Sequence, residues 1–514
     1  MTPLLEEEAC MVDHDRECYM LRGDHSQLAP ISRLPPEVLG MIFLLCVPDP
    51  RCGHPFPQSH AFSQVCQHWR GIALDTAVLW LTVPRATLEL TDIFLSRSRN
   101  ASLDVHVSDD FIEGPVAASH RAALALVLSH LNRVRSLDLV YDIETWLMPL
   151  SNASINLPAP LLVDLSIKAY SNQASLPDDF LGLYAPRLSH LYLGYVSFNW
   201  PTLFHESLVR ALTILELDRL PADSFPSGGE LAMALRSMPF LRNIVIRMVE
   251  AEHDQALDPM PISGDVPLLS HLTVLRMYGP GPQTCHLLQQ FKVPSTTSLH
   301  LCLTHTQQQC NLGPLSALLK NHCTGGAPGP RVRRMHYLGS DERHVLRVYP
   351  SCEADLLLAL VIEYSWPSVY EIVRTLELKE LTHLELSTDE DMDPLALTRL
   401  FPLCQSATRV RLHDLETCET VVPFLIPSEA RALLLPRMRW IYLDLTSKYG
   451  EDSDSFLLLC EDLLIERYEA SDYMLKMVFV HPPPDRDSED YERLRQISPT
   501  LIWSEPSSRL ADAL

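Results

Sequence analysis

Cysteine and histidine side chains are concentrated in one short stretch near the start of the chain. They are Cys52, His54, His60, Cys66 and His68. Thiolates and imidazoles are the side chains that structural zinc prefers, and a closed zinc site takes four of them in a tetrahedron. Cys66 and His68, however, fall in a segment whose apolar residues have helical spacing. We therefore favour a helix over a metal site there, and expect neither a bound metal nor another cofactor.

Two further stretches contain residue types that bind anions. The glycines between 325 and 329 are not followed by the Lys-Ser/Thr pair of a phosphate-binding loop, so a turn is expected. Arg331-Val332-Arg333-Arg334 is a basic run in an acidic chain. It is either a solvated strand edge or a contact for an acidic partner. No G-x-S-x-G, Walker or H-E-x-x-H motif occurs, so we predict no catalytic residues and no enzymatic activity.

The stretch from 31 to 80 contains the elements that must position the cysteines and histidines, and its pattern is helical. Pro36 suits the first position of a helix, and Glu37 suits its first turn. Apolar residues then recur at helical spacing, at Val38, Leu39, Ile42, Phe43 and Cys46. A second helix is predicted from about 61 to 74. These residues either form a small helical core or present an apolar docking surface.

Residues 31–80 resemble an F-box over roughly 50 of the 514 residues. The motifs stand in F-box order: Leu34-Pro35-Pro36-Glu37, then Leu39, Ile42 and Phe43, then Val65-Cys66-Gln67-His68-Trp69, then Leu79-Trp80. The loop at 48–60 is similar to an insertion in F-box proteins of mushroom-type fungi. The resemblance implies binding of a Skp1-type adaptor and, through it, a cullin–RING ubiquitin ligase. The adaptor-binding residues it implies are Leu34, Pro35, Pro36, Glu37, Leu39, Ile42, Phe43, Val65, Trp69 and Trp80.

A short apolar phrase recurs after Trp80: an apolar residue, two residues, an apolar residue, one residue, an apolar residue. Full or partial copies begin at residues 134, 162, 188, 212, 241, 272, 299, 381, 410 and 438. The spacing of about 24–31 residues lies around the leucine-rich-repeat range. Each phrase predicts a short strand with alternate residues inward, and helical patterns lie between the copies. The asparagine of regular leucine-rich repeats is absent, so a degenerate solenoid is expected.

The polar residues between the apolar positions of each phrase are candidates for binding a partner. In a solenoid such residues line the concave face, which is the usual binding surface. Arg and Tyr are favoured there as interface hot spots. The alternative is that these side chains contact only water. The predicted substrate-binding residues are Tyr192, Glu216, Arg247, Arg276, Tyr278, Arg411 and Tyr442, within a wider outward set that includes His190, Asp218, Glu385 and Arg409.

We predict a mixed α/β fold, in which an N-terminal helical F-box precedes an irregular leucine-rich-repeat-like solenoid. The arrangement also resembles the divergent leucine-rich-repeat tails of fungal F-box proteins. The predicted regions are a disordered acidic N-terminus at 1–27, the F-box at 28–82, a helical linker or cap at 83–130, the solenoid at 131–480 and a mobile C-terminal tail at 481–514. Residues 321–380 break the rhythm, and a hairpin is predicted there around Gly339. A terminal segment at 491–503 is expected to dock back.

Composition excludes several classes of partner. The 41 Lys and Arg against 65 Asp and Glu give a net charge of −24, which disfavours nucleic acid and anionic membrane surfaces. The charge permits a basic partner, although acidity is more often only a solubilising property. The 13 cysteines are scattered without a C-x-x-C pair, as in reduced proteins. With no signal-peptide pattern at the start, a cytoplasmic and/or nuclear location is predicted.

Three functions are compatible with the sequence. The first is a non-catalytic substrate-recognition subunit of an SCF-type (Skp1–cullin–F-box) ubiquitin ligase, which binds the adaptor through the F-box and an unknown protein target through the solenoid. The second is a protein-interaction scaffold that has an F-box but no ubiquitin-ligase role. The third is an enzyme whose site carries no recognised motif, which converging titratable groups in a structure would favour.

Overall fold

The structure of the protein is a computed structural model. It describes residues 30–47, 59–83, 88–108, 115–141, 155–169, 174–220, 226, 229–248, 266–304, 312–324, 332–339, 343–351, 356–362, 366–388, 394–427, 433–444, 453–471, 474–480, 492, 496 and 502–504. The chain forms two compact units, Met1–Leu212 and Thr213–Leu514. The predicted disordered segment 1–27 lies outside the described residues, as do most of the predicted loop 48–60 and most of the tail 481–514.

A proline and a cysteine set the starting points of two of the first helices in the first unit. The helices are α1 (Pro36–Cys46), α2 (Ser59–Val65), α3 (Gln67–Asp75), α4 (Leu88–Arg97), α5 (Pro115–Leu128), α6 (Trp200–Leu203) and α7 (Glu206–Val209). Helix α1 begins at Pro36, as predicted. The single helix predicted at 61–74 is instead two helices, because Cys66 adopts extended backbone between them. The Cys66 thiol accepts a hydrogen bond from the Trp69 N–H at 3.4 Å and so caps α3.

The strands of the first unit are parallel. They are β1 (Thr82–Val83), β2 (Leu103–Ser108), β3 (Val134–Tyr141), β4 (Asp164–Ala169), β5 (Ala174–Ser175), β6 (His190–Gly194) and β7 (Val196–Ser197). Strands β1, β2, β3, β4 and β6 pair in that order, and β5 pairs with β7. The strands therefore begin well before the repeat region predicted from 131, and the predicted helical linker contains β2. Leu103 and Val105 of β2 are buried, like the alternate residues of the repeated apolar phrase. The first apolar residue of that phrase is missing before β2.

The second unit contains twelve further strands among its described residues. They are β8 (Ile214–Leu220), β9 (Asn243–Met248), β10 (Val274–Pro280), β11 (Ser298–Thr304), β12 (Arg334–Gly339), β13 (His344–Tyr349), β14 (Leu358–Ile362), β15 (His383–Thr388), β16 (Arg409–Leu412), β17 (Trp440–Asp444), β18 (Lys476–Val480) and β19 (Ile502–Ser504). Their order in the sheet is β8-β9-β10-β11-β14-β13-β12-β15-β16-β17-β18-β19. Strand β19 belongs to the segment predicted to dock back, and it pairs with β18.

One strand of the second unit runs against the others. Strand β13 is antiparallel to both β12 and β14, whereas the remaining pairs are parallel. The hairpin predicted around Gly339 is thereby confirmed. The buried hydroxyl of Tyr337 lies 2.8 Å from Nδ1 of His344 across this hairpin. A side chain at Gly339 would collide with that hydroxyl, so glycine is required at this position for close packing.

The helices of the second unit connect its strands. They are α8 (Glu230–Arg236), α9 (Gly281–Leu288), α10 (Gly313–Thr324), α11 (Trp366–Thr375), α12 (Pro394–Leu400), α13 (Leu415–Leu425) and α14 (Ser453–Ser471). Arg467 of α14 is 2% exposed. Its guanidinium donates hydrogen bonds to the carbonyl oxygens of Leu425, Leu434 and Leu435 at 2.8–3.0 Å. Arg467 thus ties the end of α13 and the turn before β17 to α14.

The predicted alternation of the apolar phrases is confirmed. In every copy the apolar residues are buried, and the most exposed of them, Met438, shows 5% of its surface. The prediction of a mixed α/β fold is confirmed as well. Among the described residues, no helix combines the length and the apolar character that crossing a membrane requires.

Candidate functional site

The helical segment Pro30–Trp80 shares a core with α4, because Phe94 of that helix belongs to the same buried cluster. Leu39, Phe43 and Trp80 are at most 1% exposed, and the Trp80 indole N–H donates to the carbonyl of Ala73 at 2.7 Å. Trp80 also packs edge-on against Phe94 of α4. Leu39, Phe43 and Trp80 thus lie in the core of this segment, and their contact with an adaptor stays a prediction. The spacing Leu-x-x-Ile-Phe shows that these residues share one face of a helix. It does not show which of them the rest of the chain buries.

The other predicted adaptor-binding residues lie nearer the surface. Leu34, Ile42 and Trp69 are half-buried and pack against the core. The Trp69 ring lies 4.9 Å from that of Phe43. The exposed members of the predicted set are Pro35, Pro36, Glu37 and Val65.

The segment also exposes large apolar residues that the sequence reasoning missed. Leu45 is 86% exposed, Met41 56%, Val78 51% and Ile31 39%, beside Val65 at 59%. Met41 and Leu45 are four residues apart on α1, so they lie on the same side of that helix. The missed signal is the uninterrupted apolar run of α1, which has more apolar residues than one face can hold. An exposed stripe of this kind is typical of a surface that a partner covers.

The Cys/His stretch contains no metal site among its described members. Cys66 accepts the capping hydrogen bond of α3, and His68 is exposed. Cys52 and His54 lie outside the described residues, as does the side chain of His60. Across the part of the chain that the structure describes, no group of Cys, His, Asp and Glu is arranged to hold a metal ion.

The predicted substrate-binding residues lie on the polar sides of strands in both units. Tyr192 is in β6 of the first unit. In the second unit the strand register places Glu216, Arg276, Arg411 and Tyr442 in one row across the sheet.

A second pair of predicted residues makes its own contact. Arg247 lies in β9 and Tyr278 in β10, one pleat further along their strands. The Arg247 guanidinium lies 5.3 Å from the centre of the Tyr278 ring, in cation–π contact. Of the predicted residues in the second unit, four thus lie in one row and two lie one pleat along from it, so they do not form a single cluster.

Charged groups converge at one end of this row. We call it the polar face, defined by the outward side chains of β12, β15, β16, β17 and β18. Its members are Arg334, His336, His383, Glu385, Arg409, Arg411, Trp440, Tyr442, Asp444 and Lys476. Four Arg and Lys stand there against two carboxylates, so the polar face is positively charged in a chain of net charge −24.

Glu385 is the centre of the polar face. Arg334 lies 2.7 Å from Oε1 of Glu385, and Nε2 of His413 lies 3.5 Å from Oε2. Burial opposes the ionisation of Glu385, but its contacts with His413 and Arg334 outweigh burial and lower the pKa to about 2. The His413 ring also lies 4.9 Å from the His336 ring. Glu385 is therefore ionised at neutral pH and holds several basic groups in place.

Tyr442 is the most buried aromatic residue of the polar face, at 8% exposure. Its ring stacks on Trp440 at 6.3 Å, and the ammonium of Lys476 lies 4.5 Å from the centre of the Trp440 ring. Arg411, the neighbour of Tyr442 in the row, lies 3.5 Å from the Asp444 carboxylate. Among the described residues the Tyr442 hydroxyl has no hydrogen-bond partner.

The chemistry of the polar face favours binding over proton transfer. A general base works best with a pKa near the operating pH. The pKa of Glu385 is about 2, and burial together with the neighbouring His413 lowers the pKa of His336 to about 4. Burial raises the pKa of Tyr442, although Arg409 and Arg411 oppose it. At neutral pH the polar face therefore presents fixed cations and a protonated phenol.

The sequence reasoning missed several members of the polar face. Arg334 belonged to a run predicted as a strand edge or a contact, but β12 lies inside the sheet between β13 and β15. His336, His413 and Asp444 were not singled out. Arg334-x-His336 has the same polar alternation as Arg409-x-Arg411, and that shared alternation is the signal that could have found it.

Glu385→Gln is expected to lower the free energy of unfolding at pH 7 by an amount on the order of 3 kcal/mol. The pKa of Glu385 falls from 4.5 to about 2 on folding, so its stabilisation is present above pH 4.5. It is lost as the pH falls from 4.5 towards 2. Urea unfolding of both forms at pH 7 and pH 3 measures the difference, which should shrink at pH 3.

The matched control for this prediction is Glu371→Gln, because Glu371 forms an exposed ion pair with Arg374. It should change the free energy of unfolding by about 0.5 kcal/mol or less at either pH. A Glu385→Gln protein as stable as this control at pH 7 would show that the contacts of Glu385 do not stabilise the fold.

Comparison with known proteins gives no assignment of this chain. Its sequence matches no protein-family model, and no curated protein matches it.

Proposed function

We propose that the protein is a substrate-recognition subunit of an SCF-type ubiquitin ligase. In this proposal the helical segment Pro30–Trp80 is an F-box that binds a Skp1-type adaptor, and the strand-and-helix repeats bind a protein target. The chain itself performs no chemistry. It raises the effective concentration of the target near a conjugating enzyme.

The observation that carries the proposal is the exposed apolar stripe of α1. A small helical segment that served only as core would cover its large apolar residues, yet Leu45 and Met41 remain more than half exposed. The ordered motifs from Leu34-Pro35 to Leu79-Trp80 supply the resemblance to an F-box. Together they favour a docking segment whose core is completed by Phe94 of α4 and whose outer stripe binds the adaptor.

The repeats support the second half of the proposal. The apolar residues of each phrase are buried, and phrases such as those of β9 and β10 or β15 and β16 pair in parallel, whereas β12, β13 and β14 separate β11 from β15. We propose that these are degenerate leucine-rich repeats, in which a strand and the following segment bury their apolar sides only by stacking. In the proposal, the polar side of these strands is the surface that contacts a target.

Capture of a purified Skp1-type adaptor tests the proposal. The wild-type chain is expected to bind it, and a Met41→Glu/Leu45→Glu double variant should bind at least about tenfold more weakly, because buried apolar anchors dominate such interfaces. Both side chains are exposed, so the double variant should melt at the wild-type temperature. Size-exclusion chromatography and titration calorimetry measure the binding.

The control variant is Phe240→Glu, which changes an apolar residue of the second unit that is 53% exposed, close to the 56% of Met41. It should bind the adaptor as the wild type does. Failure of the wild type to bind, or full binding by the double variant, contradicts the proposal. Adaptor binding without recruitment of a cullin would instead favour the scaffold function.

A further inference from the structure

We propose that the polar face binds an acidic peptide segment whose carboxylates are three residues apart. This inference rests on the proposed function in one respect, since it names the class of target that the repeats would recruit. It goes beyond that function by assigning the residues and the spacing that recognise the target.

The first observation is a row of basic residues at regular intervals. The strand register aligns Arg334 with His383, His383 with Arg409, Arg409 with Trp440, and Trp440 with Lys476. Arg334, Arg409 and Lys476 thus stand on every second strand. Adjacent strands are about 4.8 Å apart, so successive cations of the row are separated by about 10 Å.

This interval matches an extended peptide. A polyproline II segment has three residues per turn and rises about 3.1 Å per residue, so every third side chain points the same way at intervals of about 9.3 Å. A peptide that crosses the strands in this conformation would place one carboxylate near each cation of the row. Glu385, one pleat along from the row, already pairs with Arg334 at 2.7 Å, so a peptide carboxylate at that end would share this cation with Glu385.

The second observation is the Tyr442 hydroxyl. It is buried, it is protonated at neutral pH, and it has no hydrogen-bond partner among the described residues. Leaving a buried donor unpaired is costly, so a ligand oxygen that accepted a hydrogen bond from this hydroxyl would be stabilised. The positive charges of Arg409 and Arg411 act on this hydroxyl and lower its pKa against the effect of burial. A negatively charged acceptor therefore fits best there, and a carboxylate oxygen is such an acceptor.

The acids of the polar face favour a carboxylate over a phosphate. Glu385 and Asp444 are committed to Arg334, His413 and Arg411. They leave the face with a modest excess of positive charge. Singly charged carboxylates match that excess, whereas phosphate dianions at the same spacing would exceed it and would be repelled by the two resident acids.

Fluorescence anisotropy with the full-length chain and labelled peptides tests the inference. The probe is Glu-Pro-Ser-Glu-Pro-Ser-Glu, with its glutamates at the proposed spacing. The comparison peptide, Pro-Ser-Glu-Glu-Glu-Ser-Pro, has the same composition with the glutamates adjacent. The spaced peptide should bind at least about tenfold more tightly, and its affinity should fall with added salt.

Two variants locate the binding. Lys476→Gln and Tyr442→Phe should each weaken the spaced peptide about tenfold, the loss of one hydrogen bond to a charged group. Tyr442→Phe should not lower the melting temperature, because the hydroxyl has no hydrogen-bond partner among the described residues to lose. This second readout separates ligand binding from a structural role. Arg437→Gln, an exposed cation outside the polar face, should leave the affinity unchanged.

Three results would overturn the inference. They are equal affinity for the two peptides, wild-type affinity in Tyr442→Phe, and binding only when phosphoserines replace the glutamates. The assay contains no adaptor, so its failure leaves adaptor capture by α1 untouched. Failure of adaptor capture likewise leaves peptide binding to be measured on its own.

Discussion

Acidification from pH 7 to pH 4 is expected to destabilise the second unit by several kcal/mol. Burial lowers the pKa of His322, His336 and His344 to about 4 in each case. The folded chain therefore keeps all three histidines neutral at pH 5. The unfolded chain takes up three protons once the pH falls below about 6.5.

The sign and size follow from proton linkage. Between pH 6.5 and 4 the unfolded state binds more protons than the folded state, so stability falls as the pH falls. A pKa unit corresponds to about 1.4 kcal/mol, so each histidine costs an amount on the order of 3 kcal/mol by pH 4. Circular dichroism melts at pH 7, 6 and 5 should show a steadily decreasing melting temperature.

Variants assign this effect to the buried histidines. His322 and His344 are at most 4% exposed, and His344 Nδ1 contacts the Tyr337 hydroxyl. The melting temperatures of His322→Gln and His344→Gln should each depend less on pH than that of the wild type, whatever the stability of the variants at pH 7. His271→Gln changes an exposed histidine and should keep the wild-type dependence. The same slope in all four proteins would exclude the buried histidines as its source.

Arg467→Met is expected to lower the free energy of unfolding by about 4 kcal/mol. Methionine replaces most of the volume of the side chain but leaves the carbonyls of Leu425, Leu434 and Leu435 without their donor. Each buried acceptor left unpaired costs about 1–3 kcal/mol. The positive charge also lies near the last turn of α13, where the helix dipole favours a cation.

Arg467→Lys provides the internal comparison. Lysine keeps the charge, but its single ammonium cannot reproduce the planar fork of Arg467 across three carbonyls. We expect an intermediate loss of stability. Arg437→Met, at an exposed position, should be within about 0.5 kcal/mol of the wild type. Urea unfolding measures all three, and an Arg467→Met midpoint equal to that of Arg437→Met contradicts the prediction.

Local patterns in the sequence predict local structure well. The apolar phrases mark their strands because alternation with a period of two has one inward side. In β6, Leu191 and Leu193 are buried, whereas His190 and Tyr192 are half-buried. Pro36 marks the start of α1 for an equally local reason. The break at Cys66 was not predicted, because helical spacing of apolar residues continues through it.

Non-local order could not be predicted in the same way. Glu385 contacts Arg334 only because β12 pairs with β15, and that pairing depends on β13 and β14 turning back between them. Apolar spacing has no information about which strand lies beside which. The polar face was therefore visible only as separate residues, among them Arg411 and Tyr442, and not as a cluster.

Net charge illustrates the same limit. A charge of −24 suggests a basic partner, if it suggests any partner. The polar face nevertheless has an excess of Arg and Lys, because acidic and basic residues are not distributed evenly over the fold. A partner is attracted by the charge of the surface that it meets, screened beyond about 8–10 Å, and not by the sum over the chain.

The reversed strand β13 has a consequence for the order in which the second unit folds. Repeats that contact only their neighbours can assemble one after another along the chain. Here β11 pairs with β14, although about fifty residues, from Thr304 to Leu358, separate the two strands along the chain. Such a distant pairing raises the contact order and slows folding. The pairings of β11 with β14 and of β12 with β15 are therefore non-local contacts that a strictly sequential array of repeats would not need.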